Sequence, residues 1–145
     1  MKKSIVKNHF TAFANDWIKS SYEGGGYEYP TARHRLNVVR DILADINAPA
    51  RITDLGCGGG HLAVHLAEAG HEVTGIDQSE EMIRISQSIA ADRASHLKGT
   101  ATFRQAELEE LTVPQHDQDA VTSMGVIGYL AYDAPIFHAA DALLK

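Results

Sequence analysis

The sequence predicts an α/β fold, in which a doubly wound parallel sheet carries helices on both faces. After Pro49, short apolar runs typical of strands alternate four times with segments of helical periodicity. Short strands joined by helices require right-handed parallel crossovers, which place helices on both sides of the sheet. A glycine-rich turn also joins the first strand to a helix. Ligands of such sheets bind beyond the carboxyl ends of the strands, so we expect the functional site there.

The first 30 residues precede this alternating region and predict a helix followed by a flexible connection. Residues 5–19 carry apolar side chains at steps of three and four, and Ser4 is placed to cap the helix. The apolar stripe comprises Val6, Phe10, Phe13 and Trp17. Three glycines at 24–26 stand among tyrosines, which is typical of a mobile hinge. We expect residues 1–30 to form an N-terminal helix with a glycine-rich lid, and residues 31–145 to form the core.

A second helix is expected over residues 32–47, capped by Thr31 and ended by Pro49. Strands are expected at 52–55, 72–76, 101–105 and 120–124. Helices are expected at 61–69, directly after Ser79, and at 133–144. Ser79 is placed to cap its helix, with two glutamates in the first turn, where the helix dipole favours negative charge.

Length and charge limit the class of protein. The chain has 145 residues, which fits one domain. Its 13 Lys and Arg against 19 Asp and Glu give a net charge of −6, which disfavours nucleic acid as a partner. The single cysteine, Cys57, excludes an internal disulfide and favours a cytoplasmic location. The N-terminal region has neither a signal-peptide core nor a run long enough to span a membrane.

The most informative segment is the glycine-rich loop at 56–60, which follows the first strand and precedes a helix. Glycines at 56, 58 and 60 let the chain turn sharply and let backbone amides approach a ligand. Asp77 ends the second strand, 17 residues after Gly60. Its carboxylate is therefore placed to accept hydrogen bonds from the two hydroxyls of a ribose. Together these features predict an adenosyl ligand. Two alternatives remain open, since the loop can be a plain turn and Asp77 can cap the next helix.

Dinucleotides and adenosyl sulfonium compounds are both ligands of this kind. The dinucleotide fingerprint G-x-G-x-x-G needs a small residue where His61 stands, which disfavours an NAD-dependent oxidoreductase. His61 and His65 lie one helical turn apart, but the zinc pattern H-E-x-x-H needs a glutamate where Leu62 stands. We therefore expect no metal site at this helix.

The segment from Asp54 to Gly60 resembles motif I of class I S-adenosylmethionine-dependent methyltransferases, an acidic residue followed by G-x-G-x-G. Three further segments, in the order of the family, are similar to its later motifs; they span 72–79, 103–111 and 117–124. The resemblance extends over about residues 36–145. It implies a Rossmann-like sheet and S-adenosyl-L-methionine as the cofactor.

The resemblance also implies roles for individual residues. Asp54 would lie near the ammonium of the methionine part, and Asp77 would hold the ribose. Glu107 would accept from the adenine amino group while the backbone of Leu108 meets the ring, although Glu107 can instead be one of several acids at a solvated helix start. The cofactor-binding residues implied in this way are Arg33, Asp54, Gly56, Cys57, Gly58, Gly60, Asp77, Gln78, Glu107, Leu108 and Met124.

Within the family, the chain is nearest in motif to the ubiquinone-biosynthesis O-methyltransferase group, through DLGCGGG and HEVTGID. In that group an arginine before the first strand pairs with the ligand carboxylate. Arg33 and Arg35 stand in this region, and we assign the role to Arg33. The group carries a Glu and a His after the fourth strand, where this chain has residues 125–129, so the acceptor stays open. The acceptor-side candidates are Tyr22, Tyr27 and Tyr129.

We expect a methyltransferase that acts on a small-molecule acceptor. The alternatives are a non-catalytic adenosyl-binding module, an inactive fragment and, less favoured, an NAD-dependent oxidoreductase. The family usually continues past the fourth strand into further strands, so we expect this chain to be a truncated piece whose fourth strand lies at an edge. Such an apolar edge is expected to promote self-association.

Overall fold

A computed structural model of the chain describes residues 2–23, 30–111, 115–130 and 134–145. The helices within these ranges are α1 (Lys2–Ile18), α2 (Pro30–Leu43), α3 (His61–Glu68), α4 (Glu80–Asp92) and α5 (Ala134–Leu143). The strands are β1 (Arg51–Leu55), β2 (Glu72–Asp77), β3 (Thr100–Gln105) and β4 (Ala120–Ser123). A π-helical turn, Lys19–Glu23, continues α1, and short 3₁₀ turns occur at Ala94–His96, Leu108–Glu110 and Ile127–Tyr129.

The four strands form one sheet in the order β3-β2-β1-β4, and every pair is parallel. In the central register Ile52 of β1 lies opposite Val73 of β2 and Ala120 of β4. The α/β prediction and the four strand positions are thereby confirmed to within a residue at each end. Because all strands run the same way, their carboxyl ends meet at one edge of the sheet, and the loops that leave them are neighbours.

Apolar side chains pack on both faces of the sheet. On one face, Ile52 and Val73 contact apolar residues of α2 and α3. On the other face, Leu55 and Ile76 contact Ala139 and Leu143 of α5. Full burial of an aliphatic side chain of this size contributes about 1.5 to 3 kcal/mol, so the two layers hold the helices to the sheet.

Helix α1 packs against α4. Ala14 and Ile18 are buried against Met82 and Ile85 of that helix. The Thr11 hydroxyl lies 3.2 Å from that of Ser79, which adds a polar contact to the same interface. The N-terminal helix is therefore part of the folded core, whereas the glycines at 24–26 of the expected lid lie outside the described residues.

Three local predictions about helix ends can be judged. Ser79 caps α4, since its hydroxyl accepts a hydrogen bond from the Met82 amide at 3.3 Å. The caps assigned to Ser4 and Thr31 are wrong, because α1 begins at Lys2 and α2 at Pro30, so that both residues lie inside their helices.

Strand β4 lies at the edge of the described sheet. It pairs with β1 on one side. Just before it, Gln118 forms an isolated parallel bridge with Leu144, beyond the end of α5. Among the described helices, none combines the length and the apolar character needed to cross a membrane.

Candidate functional site

A cavity opens at the carboxyl ends of the strands, where the glycine loop predicts a site. Each of the four strand-to-helix connections contributes to its wall, and α1 covers it. Residues that line the cavity include Gly56, Gly58, Asp77, Gln78, Glu107, Leu108, Met124, Gly125, Tyr129, Phe10 and Trp17. The structure thus brings together seven of the eleven predicted cofactor-binding residues and one predicted acceptor residue, Tyr129, around one space.

The three glycines of the loop share positive φ angles but face different surroundings. A Cβ atom on Gly56 would lie 2.2 Å from a methyl carbon of Val126, and one on Gly60 would lie 2.7 Å from the Phe103 ring. On Gly58, the nearest atom to a Cβ would be a Trp17 ring carbon at 3.7 Å. Gly56 and Gly60 are therefore required by packing, whereas a Cβ at Gly58 would make only an ordinary contact with Trp17, and both of these residues line the cavity.

The carboxylate of Asp77 connects the ends of β1 and β2. One oxygen accepts a hydrogen bond from the Gly58 amide at 3.0 Å, and the other accepts from the Ser79 amide at 2.9 Å. Burial raises the pKa of Asp77, and these amide hydrogen bonds oppose the rise. A carboxylate oxygen has two lone pairs, so each oxygen keeps acceptor capacity toward the cavity. Asp77 therefore stabilises the turn before α4, which is the alternative role, and it also lines the cavity.

Asp54 lies beneath the glycine loop rather than in the cavity wall. Its carboxylate is 2% exposed and accepts a hydrogen bond from the Thr122 hydroxyl at 2.8 Å. Burial raises the pKa of Asp54 to about 7, the Thr122 hydrogen bond opposes the rise, and the nearby Asp77 charge adds to it. A buried carboxylate with a pKa so high is poised to lose its proton when a cation approaches.

The two candidate arginines have different positions. Arg33 donates a hydrogen bond to the backbone carbonyl of Tyr22 and is not among the residues that line the cavity. Arg35 lies beside Gly125, where a Cβ atom would be 3.1 Å from its guanidinium. Burial raises the pKa of Tyr22 to about 12, with a further rise from Asp54 and a lowering from Arg35. Neither arginine is among the residues that line the cavity, but the Arg35 guanidinium lies beside Gly125, which does line it. The assignment of the ligand carboxylate to Arg33 stays a prediction.

The segment after β3 supplies the side of the cavity next to β2. Glu107 caps the 3₁₀ turn Leu108–Glu110 in a reciprocal capping box with Glu110. Glu107 and Leu108 both line the cavity. Glu107 therefore caps its own 3₁₀ turn, and together with Leu108 it also lies in the cavity wall where contact with an adenine is expected.

Cys57, Gly60 and Tyr22 are not among the residues that line the cavity. The Cys57 thiol is buried, and burial raises its pKa, so that it is an unreactive part of the loop interior. The Tyr22 ring stacks on the His61 ring, with centroids 3.9 Å apart and planes 9° apart. Burial lowers the pKa of His61 to about 4, and His65 pairs instead with Glu68. No cluster of metal-ligating side chains was found in the described parts of the chain, and Tyr27 lies outside them.

Two features of the site are not indicated by any pattern in the sequence. The contact between Asp54 and Thr122 joins residues that are 68 positions apart. Phe10 reaches the cavity from α1, where its ring meets that of Tyr129 edge to face at 4.9 Å. Helical periodicity places Phe10 on an apolar stripe, but only the docking of α1 shows which part of that stripe covers the site.

Comparison with known protein sequences gives matches over most of the chain. A family model described as a methyltransferase domain matches residues 52–145. The ubiquinone biosynthesis O-methyltransferase of Hydrogenovibrio crunogenus is 32% identical over 145 residues, which cover 95% of this chain and 55% of that protein. The protein of the same name from Xanthomonas campestris pv. campestris is 31% identical over 140 residues, 94% of this chain and 54% of that protein. The chain spans about half the length of the curated relatives it matches.

Comparison with solved structures gives matches over nearly the whole chain. Magnesium protoporphyrin IX methyltransferase from Synechocystis PCC 6803, crystallised with bound SAM, has a TM-score of 0.82 at 28% identity, covering 99% of this chain and 72% of that chain. The [4+2]-cyclase SpnF has a TM-score of 0.74 at 20% identity, covering 99% of this chain and 57% of that chain. The second likeness is one of fold alone, and it shows that this fold also occurs in a protein named for a different reaction.

Proposed function

The chain belongs to the methyltransferase domain family, as a class I member with a Rossmann-like sheet, and from this premise we propose that it binds S-adenosyl-L-methionine and transfers its methyl group to a small-molecule acceptor. The observation that carries the proposal is Gly58. It stands in the loop that follows the central strand, it has a positive φ, it lines the cavity, and the nearest atom to a Cβ placed on it would be a Trp17 ring carbon in ordinary contact at 3.7 Å. A glycine needed only for packing, such as Gly60, has neighbouring side chains packed where a Cβ atom would lie.

The strand order supports an extended ligand. Because β3, β2, β1 and β4 lie side by side, their loops place Leu108, Asp77, Gly58 and Gly125 in a row along the cavity. Glu107 and Leu108 would meet the adenine, and Asp77 would accept from the ribose hydroxyls. Asp54 and Arg35 supply opposite charges at the β1 and β4 end, where the ammonium and carboxylate of the methionine part would lie.

When bound, S-adenosylmethionine supplies an electrophilic methyl group on its sulfonium. The protein's own contribution is then alignment and exclusion of water. The rings of Phe10, Trp17 and Tyr129 cover the cavity with apolar surface. Asp77 fixes the glycine loop through the Gly58 amide, so the wall on which the ligand rests is formed before binding.

Calorimetry and a transfer assay test the proposal in two steps. Titration with S-adenosylhomocysteine should give saturable heat, whereas NAD at the same concentrations should give none. Incubation with S-adenosylmethionine labelled in its methyl group should then transfer label to members of a panel of small neutral acceptors. Binding of NAD alone would contradict the proposal. Binding of S-adenosylhomocysteine without transfer to any acceptor would favour a non-catalytic adenosyl-binding module.

We also propose a cytoplasmic location and no nucleic-acid partner for this chain. The single cysteine is buried, as suits a reducing compartment. The net charge of −6 opposes contact with a phosphate backbone. Fractionation of cells that express the full-length protein, and a filter-binding assay with RNA and DNA, would check these two proposals.

A further inference from the structure

The cavity has two halves of different chemistry. The half next to β2 and β3 contains the carboxylates of Asp77 and Glu107. The other half, which we term the acceptor half, is formed by α1 and the segment after β4. The side chains that line it are Phe10, Trp17, Met124, Val126, Tyr129 and Leu130, none of which carries a charge. Their only hydrogen-bonding N–H and O–H groups are the Trp17 indole N–H and the Tyr129 hydroxyl.

We propose that the acceptor half selects acceptors by charge, binding an uncharged, flat and apolar molecule and rejecting an anionic one of the same shape. Phe10 and Tyr129 are its specificity-determining residues. The proposal rests on the proposed function, because it assumes that the carboxylate-bearing half is occupied by the cofactor.

Ring geometry supports a flat ligand. Phe10 meets Tyr129 edge to face at 4.9 Å with planes at 86°, and it meets Trp17 at 6.0 Å, also at 86°. Phe10 comes from α1 and Tyr129 from the 3₁₀ turn after β4, so the two elements that form this half meet through their aromatic side chains. Tyr129 is 47% exposed, so part of this residue is accessible from solvent. Aromatic edges and faces of this kind favour a planar guest.

The two arginines at the start of α2 bear on the binding of an anionic acceptor. Arg33 donates to the Tyr22 carbonyl, and Arg35 lies beside Gly125, where the proposed function places the carboxylate of the methionine part of the cofactor. With Arg35 engaged by that carboxylate, an anionic acceptor would lose its hydration without gaining a counter-charge from the side chains that line this half, and the carboxylates of the other half would repel it.

The chain offers a direct probe, because Trp17 is its only tryptophan and lines this cavity. The experiment uses protein saturated with S-adenosylhomocysteine, whose binding is verified first by calorimetry. Trp17 fluorescence, excited at its red edge, is then followed during titration with 4-ethylphenol, 4-ethylbenzoate and 4-ethylbenzylamine, which are neutral, anionic and cationic at neutral pH. We expect saturable quenching by the phenol, and binding of the benzoate that is weaker by about tenfold or more.

Variants identify the residues responsible. Tyr129→Phe removes only the hydroxyl and should weaken the phenol severalfold, and Phe10→Leu should weaken all aromatic probes. Leu130→Arg should improve the benzoate relative to the phenol, because it supplies the missing cation. Phe137→Leu is the matched control, since Phe137 is an exposed aromatic residue of α5 outside the cavity wall.

The outcomes separate the two claims. If S-adenosylhomocysteine gives no heat, the proposed function fails. If it binds but the benzoate binds as well as the phenol, or the amine binds best, or no probe quenches Trp17, charge selection for a neutral acceptor is overturned while the proposed function stands.

Discussion

The carboxylate of Asp77 accepts a hydrogen bond from the backbone amide of Gly58 across 3.0 Å. Asp77 ends β2 and Gly58 lies in the loop that follows β1, and each is singled out by its own sequence signal. Their contact shows that the acidic residue at the end of β2 shapes the glycine loop after β1 as well as facing the cavity. A change at Asp77 should therefore affect both the stability of the loop and the affinity for the ligand.

Replacement of Asp77 by Ala should weaken S-adenosylhomocysteine by about ten- to hundredfold, because a charge-assisted contact contributes about 1.5 to 3 kcal/mol. It should also lower the unfolding temperature, since the Gly58 and Ser79 amides lose their acceptor. Calorimetry and thermal unfolding measure the two effects. Glu72→Gln is the control, because Glu72 is an exposed carboxylate at the opposite end of the same strand. Unchanged affinity in Asp77→Ala would remove the ribose assignment.

Alanine at Gly58 and alanine at Gly60 should have different effects. Gly58→Ala meets no atom closer than 3.7 Å, so it should fold with only the cost of a positive φ, about 1 kcal/mol, yet bind S-adenosylhomocysteine much more weakly. Gly60→Ala should be the less stable protein, because its Cβ would be 2.7 Å from the Phe103 ring. Denaturant unfolding together with calorimetry gives both quantities. Equal affinities for the wild type and Gly58→Ala would show that the ligand does not approach the backbone at Gly58.

The buried carboxyl of Asp54 should make stability depend on pH. Its pKa is raised by burial from 3.8 to about 7, so between these values the folded state holds a proton that the unfolded state has lost. The contribution of Asp54 to the free energy of unfolding should therefore fall as the pH rises from about 4 to about 7, by up to about 1.4 kcal/mol per unit, and then level off. His61, whose pKa burial lowers from 6.5 to about 4, contributes the opposite slope between these two values, so the Asp54 effect is measured as a difference between the wild type and a variant at Asp54.

Asp54→Asn tests this, since an amide cannot ionise and its oxygen can still accept from Thr122. In urea unfolding at a series of pH values, the free energy of unfolding of Asp54→Asn should increase relative to that of the wild type as the pH rises from about 4 to about 7, whereas Glu72→Gln should follow the wild type. The same slope in all three proteins would assign the pH dependence to other groups.

The exposed side of β4 should promote self-association of the 145-residue chain. In the described sheet β4 pairs only with β1, and Phe137 and Leu144 add exposed apolar surface nearby in the sequence. Light scattering at several concentrations should show a mass that increases with concentration. Phe137→Asp distinguishes the two causes, because it should reduce association through the helix surface but leave pairing of strand edges intact. A strictly monomeric chain at all concentrations would contradict the prediction.

Local sequence signals predicted the elements of the core well, because each depends on neighbours within a few residues. Alternation of apolar residues placed the four strands, and Ser79 and the glycines at 56, 58 and 60 marked turns that the backbone makes in any context. Helix ends were less predictable. The caps assigned to Ser4 and Thr31 are wrong because both helices begin before these residues. A capping residue in the sequence does not by itself determine where a helix begins.

The sequence by itself determined the fold class, the family and the edge of the sheet where the site lies, since periodicity and glycine spacing are properties of short segments. Only the tertiary structure decided which residues meet. It placed the Arg35 guanidinium beside Gly125, joined Asp54 to Thr122 and set Phe10 against Tyr129. It also separated Gly58 from Gly56 and Gly60, which look equivalent in the sequence. The physical reason is that burial, electrostatic fields and ring contacts depend on distances between segments, and those distances exist only after helices and strands have packed together.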